Sequence, residues 1–270
     1  MSYQGAISTV SRFLDKIENP QILEIGIDMG QSTIPLLSNM LRLNCDFVYT
    51  GIDILSPCQS KRLDHNFQQL VQMEGIRLLG IDVDTVSESN VRMLYKDSLN
   101  ILPVLIEDNL KFDLILLDGD HNYETVSKEL SYIDAISYPS TLVVIDDYSG
   151  RHEGSDMFYG ERDSHVAVQK DIMKRRGDSK GQGVSGAVDD FIKASNKKWG
   201  LFQGYAEMNG KHIKTDFTYM FQNDHYQNFH TVRGSRSGLS YEEIVSHIST
   251  DCLRRFKRAF IEETMQSSNS

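Results

Sequence analysis

Residues 21–32 read QILEIGIDMGQS, residues 111–120 read KFDLILLDGD, and residues 140–148 read STLVVIDDY. Each contains a short, nearly unbroken apolar run that leads into glycine or aspartate. That pattern suits a strand covered on both faces better than a strand with one wet side. Between these runs the apolar spacing turns helical: Ile34, Leu37, Met40 and Leu41 after the first, and Tyr123, Val126, Leu130 and Ile133 after the second. Strands alternating with helices predict an α/β fold, a doubly wound, mostly parallel seven-stranded sheet with helices on both faces.

The rest of the chain extends the pattern. Ile7, Val10, Leu14 and Ile17 predict a first helix that Pro20 ends. Ser32 or Thr33 can cap the helix after the first strand, where Pro35 is tolerated in the opening turn. DFVYTGIDI at 46–54 reads as a second strand, Leu63 to Met73 as a helix, and IRLLGIDV and NVRMLYKDS as two further strand-like pieces. Residues 149–183 are rich in Gly, His and charge and predict a lid insertion, with a short helix near Val166 to Met173. GVSGAVDDFIKASNKKW resumes as a helix with Val184, Val188, Phe191 and Ile192 on one side, and GLFQGYAEM and FTYMFQN predict a final antiparallel pair. A C-terminal helix is expected from about Tyr241 to Met265, opened by the capping-box pair Ser240 and Glu243. The main domain is therefore drawn over 1–235, and the C-terminal helix and tail over 236–270.

Composition narrows the classes. The formal net charge is −10, which argues against a broadly basic face for nucleic acid. No apolar run reaches the ~18 residues of a membrane span, and the N-terminal stretch lacks a signal-peptide core. Cys45, Cys58 and Cys252 are scattered, as reduced thiols in a cytoplasmic protein would be. The expected partner is a small molecule, with no nucleic acid or membrane, and the aromatic face of the last helix is left to pack on the domain or to join copies of the chain.

In an open parallel sheet, ligands bind beyond the carboxyl ends of the strands. Asp53, Asp118, Asp120, Asp146 and Asp147 all fall there. Gly26 and Gly30 permit a tight strand-to-helix turn and close approach of backbone to ligand. Asp28 stands where a dinucleotide fingerprint needs its middle glycine, and carboxylates at Glu24 and Asp28 would repel a diphosphate. A ligand carrying ammonium and sulfonium charges is better matched. The acids of the two later motifs cannot share one spot as bare anions. Some are protonated, some point elsewhere, or a cation sits among them, and hard oxygen donors favour Mg²⁺, Ca²⁺ or Mn²⁺ over zinc, with Mg²⁺ expected first. Helix capping and simple solvation explain any single one of these aspartates.

LEIGIDMGQS, the strand-end Asp53 and Lys96-Asp97-Ser98 together resemble class I, Rossmann-like S-adenosylmethionine-dependent methyltransferases over roughly residues 20–150. The pairing of D-G-D with D-D, the first acids 28 apart (146 − 118), is similar to metal-dependent sugar O-methyltransferases of the macrocin and mycinamicin type and to cephalosporin-biosynthesis relatives. The resemblance implies S-adenosylmethionine as cofactor with a divalent cation, and methyl transfer to a hydroxyl of a sugar-like or other small polyhydroxy compound. Glu24, Gly26 and Gly30 then line the methionine part of the cofactor, with Ser32 and Asp118 also on the cofactor. Asp53 binds the ribose hydroxyls, and Asp97 and Ser98 lie near the adenine. Asp118, Asp146 and Asp147 hold the metal, and Asp120 is the general base. His121, adjacent to Asp120, is a second base candidate. His152, His165, Arg151, Arg162, Lys174, Arg175 and Arg176 lie in or near the lid, where substrate contact and plain solvation compete. Three other readings compete: a nicotinamide-dependent oxidoreductase, a binding module without chemistry, and a metal-dependent hydrolase. The acidic glycine turn counts against the first, the intact set of acids against the second, and the unexplained Asp53 against the third.

Overall fold

A computed structural model of the chain describes residues 7, 10, 11, 13–15, 17–43, 47–54, 91–149, 152–157, 181–196, 199–208 and 211–222. The expected helix at 63–73, the strand-like IRLLGIDV, the helix near 166–173, the C-terminal helix and all three cysteines lie outside the described residues. So do His165 and the five cationic residues picked out in and near the lid.

Seven strands form one sheet: β1 (Gln21–Ile25), β2 (Val48–Ile52), β3 (Val91–Leu94), β4 (Phe112–Leu117), β5 (Ser137–Ile145), β6 (Trp199–Met208) and β7 (Lys211–Gln222). Their order is β3-β2-β1-β4-β5-β7-β6. β1 pairs in parallel with β2 and β4, β2 with β3, and β4 with β5, while β7 runs antiparallel to both β5 and β6. The mostly parallel, doubly wound sheet is therefore present, with the antiparallel β7 next to the edge strand β6. The order reverses between β1 and β4, the switch point at which such sheets bind ligands.

The apolar runs are near-continuous because both faces are covered. On one face, Ile22, Leu114, Leu116 and Val144 join Ile7, Val10 and Leu14 of the N-terminal segment and Leu36, Leu37 and Met40 of α1 (Thr33–Arg42). On the other, Leu23, Ile25, Ile115, Leu117, Val143 and Ile145 pack under α2 (Ser98–Glu107), α3 (Tyr123–Ile136) and α4 (Gly183–Ala194). β4 is buried at all six positions. Burying a Leu or Ile side chain is worth about 1.5–3 kcal/mol, so this double layer is the main source of stability.

Several boundaries differ from the sequence reading: β7 begins at Lys211, ahead of the expected Phe217, and α4 ends at Ala194, short of the expected Trp199. β5 starts at Ser137, ahead of the expected 140, because α3 passes straight into it. The ladder shifts register between Phe112 and Leu114, where the Thr141 hydroxyl donates to the Phe112 carbonyl at 2.6 Å. A further difference is α2, a stretch to which the sequence reading assigned no element. Pro103 sits inside it, yet Asp97 caps it and Ile101, Leu102 and Leu105 are buried, and packing overrides the proline. Among the described residues no helix is long and apolar enough to cross a membrane.

Register places the functional edge. Ile25 pairs with Ile52 and with Leu117, Ile52 with Leu94, and Leu117 with Ile145. The strands thus stop in one row, and the next residues along that row are Gly26, Asp53, Tyr95, Asp118 and Asp146.

Candidate active site

The first part of the site is the turn after β1. Gly26 has φ +89°, and a Cβ there would lie 1.9 Å from the Asp118 carbonyl oxygen, so only glycine lets the turn press against the end of β4. Gly30 (φ +77°) and Asp28 (φ +47°) complete the bend. The Asp53 Oδ2 accepts the N–H of Ile27 at 2.6 Å and that of Asp28 at 2.8 Å. The carboxylate at the end of β2 therefore fixes the glycine turn. Burial raises its pKa, opposed by those backbone donors.

Beneath the turn lies Glu24, fully buried. Ser32 donates to its Oε1 at 2.6 Å, and Thr33 and Tyr49 donate to its Oε2 at 2.7 and 2.5 Å. Burial pushes its pKa up to about 7 against the pull of those three hydroxyls. Tyr49 has a clear path because Gly51 follows it by two residues; a Cβ at Gly51 would lie 2.9 Å from the Tyr49 hydroxyl. Glu24 and Ser32 are thus bonded to each other as the internal frame of the turn. The Ser32 and Thr33 hydroxyls, expected as candidate caps, are turned to Glu24 instead, and Tyr49, to which the sequence reading gave no role, joins them.

Asp97 caps α2, its Oδ1 accepting the Leu99 N–H at 3.0 Å. Ser98 is buried and donates to Glu129 Oε1 at 2.5 Å. Both stand at the carboxyl end of β3, on the side of the sheet that carries Asp53.

The acidic motifs meet as expected, but around a ring. His121 is buried, with Nδ1 2.7 Å from Asp147 Oδ2 and Nε2 3.2 Å from Asp118 Oδ1. Burial alone would lower the His121 pKa; the facing carboxylates of Asp118 and Asp147 outweigh it and raise the value to about 10. Two carboxylates facing one ring favour its protonated form, which would set a positive charge from the chain itself among these acids. Asp147 reaches the ring from a left-handed backbone (φ +48°), a conformation Asp tolerates better than most side chains. Asp146 lies against Asp118, and burial, then the Asp118 charge, hold its carboxyl well above the usual range. Among the described residues the Asp146 Oδ1 is buried without a hydrogen-bond partner, and no three metal-ligating side chains are grouped to hold an ion. Of the three expected metal ligands, Asp118 and Asp146 are together, and Asp147 is turned to His121.

Asp120 stands at the start of α3. Its Oδ2 accepts from the Asn122 side-chain amide and from the Thr125 hydroxyl, the latter at 3.1 Å. Asn122 in turn caps α3 through its Oδ1 to the Thr125 N–H at 2.9 Å. His152 lies among the described residues, half-buried. Asp156, to which the sequence reading gave no role, accepts the N–H groups of Tyr123 and Gly183, each at 2.8 Å. Nothing local in the sequence signals a contact between residues 33 and 27 positions apart.

Residues 23–148 match the model of a family described as methyltransferase domain, and this segment contains the glycine turn, Asp53, Asp97 and both acidic motifs. No curated protein matches the sequence. Solved structures with similar folds include the O-methyltransferase TomG of Streptomyces achromogenes, involved in tomaymycin synthesis and solved with S-adenosylmethionine: 17% identity, 82% of this chain and 80% of that chain covered, TM-score 0.48. The methyltransferase PaMTH1 of Podospora anserina, bound to S-adenosylhomocysteine, gives 16%, 82%, 80% and 0.46 for the same measures. CalS11, a TDP-rhamnose 3'-O-methyltransferase of calicheamicin biosynthesis, gives 12%, 80%, 76% and 0.48. At these identities and scores the likeness says nothing of substrate.

Proposed function

We propose that the chain is an S-adenosylmethionine-dependent O-methyltransferase that acts on a hydroxyl of a sugar-like or other small polyhydroxy substrate. The observation that carries this reading is the row of strand ends at the β1–β4 switch point. It sets the close-packed Gly26 turn and Asp53 on one side and the Asp118–Asp120 turn on the other. The match of residues 23–148 to a methyltransferase-domain family supports it.

In this reading the cofactor lies over Gly26, with its ribose hydroxyls on Asp53 and its adenine toward Asp97 and Ser98. Glu24 and Ser32 shape the turn from below, and Asp118 faces the methionine end. The reaction is an in-line displacement. The acceptor oxygen forms a bond to the methyl carbon as the carbon–sulfur bond breaks, and the electron pair of that bond goes to sulfur, leaving a neutral thioether. The hydroxyl proton needs an acceptor. Asp120, oriented by Asn122 and Thr125, is assigned as the base, with His121, held between Asp118 and Asp147, as the second candidate. A divalent cation would be held by the hard oxygen pair of Asp118 and Asp146, where the Asp146 Oδ1 lacks a partner; Asp147 would join them only by leaving His121. Bound there, it would lower the pKa of an acceptor hydroxyl and orient it.

Calorimetric titration with S-adenosylhomocysteine, and separately with NAD, each with and without Mg²⁺, tests the reading. Binding of the first ligand alone is expected. Binding of NAD, or of neither, overturns the cofactor assignment, and S-adenosylhomocysteine binding and methyl transfer that are both indifferent to chelator overturn the metal.

A further inference from the structure

Asp156 gathers two helix starts onto one side chain. Its Oδ1 accepts the N–H of Tyr123, first residue of α3, and the N–H of Gly183, first residue of α4, both at 2.8 Å. Its Oδ2 accepts the Gly181 N–H at 2.9 Å. The next residue, Met157, donates its N–H to the His121 carbonyl at 3.0 Å. Gly183 has φ +59°, and a Cβ there would lie 2.5 Å from the Ser155 carbonyl oxygen, so the contact depends on glycine. Away from the carboxylate, the Tyr123 hydroxyl donates to Asp190 of α4 at 2.8 Å.

Simple helix capping does not account for this arrangement. α3 already has its own cap in Asn122, whose Oδ1 takes the Thr125 N–H. What Asp156 adds at α3 is a tie between its first residue and the segment whose backbone holds His121. α4 lacks a side-chain cap of its own and begins where Asp156 binds it. The partial positive charge of two helix starts favours a carboxylate at their meeting point.

We propose that Asp156 is a positioning residue for the reacting turn. By clasping the starts of α3 and α4 it fixes residues 120–122, and with them the Asp120 carboxylate and the His121 ring between Asp118 and Asp147. The Asp156 carboxylate is taken up by the backbone N–H groups of Tyr123, Gly181 and Gly183, so the role assigned to it is positioning. The role in catalysis rests on the methyltransferase reading; the fixing of the turn does not.

The test uses the full chain labelled with [¹⁵N]histidine, with the His121 ring signals identified by their loss in His121→Gln. Asp156→Ala is expected to shift those signals and speed exchange of the ring N–H protons. Asp156→Asn, which keeps one acceptor oxygen, is expected to recover part of the wild-type spectrum. Gly183→Ala attacks the same clasp without touching the carboxylate and should move the same signals. A panel of free hexoses, a nucleoside-diphosphate sugar and catechol supplies acceptors for methyl transfer. On whichever of these the wild type uses, Asp156→Ala should lower kcat roughly ten- to a hundredfold while S-adenosylhomocysteine affinity stays within about twofold. A lowered unfolding midpoint with His121 signals unmoved would mean that Asp156 merely joins two helices. If the wild type fails to bind S-adenosylhomocysteine, the methyltransferase reading falls, and the His121 signals alone still decide whether Asp156 positions the turn.

Discussion

At Gly26 the backbone of one strand end runs so close to the next that a single methyl group decides whether they can meet. The φ of +89° is strained for any L side chain, and the Asp118 carbonyl occupies the space a Cβ would need. Gly26→Ala should therefore destabilise the fold by about 2–4 kcal/mol, combining a disfavoured backbone with a displaced neighbour. Urea denaturation followed by circular dichroism checks this, and unchanged stability would mean that the turn and β4 are not in contact. Asp113 raises a different issue. Its buried carboxylate accepts the Gln21 N–H at 2.8 Å, and burial, opposed by that bond, raises its pKa to about 6 from a usual 3.8. The folded state therefore holds the proton more tightly than the unfolded chain. The contribution of Asp113 is fully present below pH 4 and fades as pH rises through 6. Asp113→Asn, which keeps an acceptor for Gln21, should match the wild type near pH 4. At pH 7.5 it should be more stable by about 1–2 kcal/mol, as thermal melts at the two values would record. An equal difference at both would remove the titration from the account.

Among the elements, α2 shows what a cap and a buried face can do against an unfavourable residue. Pro103 removes one helix donor, and the compensation is the Asp97 cap together with the burial of Ile101, Leu102 and Leu105. Asp97→Ala should lower stability by about 0.5–2 kcal/mol, the usual worth of an N-cap. A larger fall would show that Asp97 holds more than the helix start. The same element marks a boundary of what the chain discloses about itself. β4 and the core of β5 were legible because a doubly covered strand has to be apolar at nearly every position, and α3 because Tyr123, Val126, Leu130 and Ile133 repeat at helical spacing. α2 has no polar stripe to give such a period, and its proline reads as a stop. The acids at the strand ends were legible for a topological reason: parallel strands in register deliver their last residues to one edge. The use each acid makes of its position was not. Glu24 reads as a ligand until Ser32, Thr33 and Tyr49 are seen around it. Asp147 reads as one of three equivalent acids until His121 takes it. Asp156 finds its partners only after two helices have been brought together.

For the whole molecule, the sheet order separates two tasks. Asp53 stands at the end of β2, two strands from β4, and its carboxylate fixes the glycine turn through Ile27 and Asp28. Asp120 stands beyond β4 at the start of α3, where Asn122 and Thr125 hold its carboxylate. If the β1–β2 half binds cofactor and the β4–β5 half handles the acceptor, substitutions in the two halves should fail differently. Asp53→Ala should weaken S-adenosylhomocysteine binding about ten- to a hundredfold, because a charged acceptor and the support of the turn are lost together. Asp120→Asn should leave that affinity within about twofold yet lower turnover roughly a hundredfold or more, the scale of a missing general base. Calorimetry and initial rates on the same two variants, with an acceptor from the panel, separate these effects. Full activity in Asp120→Asn would move the base elsewhere. Equal losses of binding and rate in both variants would mean that the strand-end row works as one undivided site, and the division of labour across the β1–β4 switch point would have to be given up.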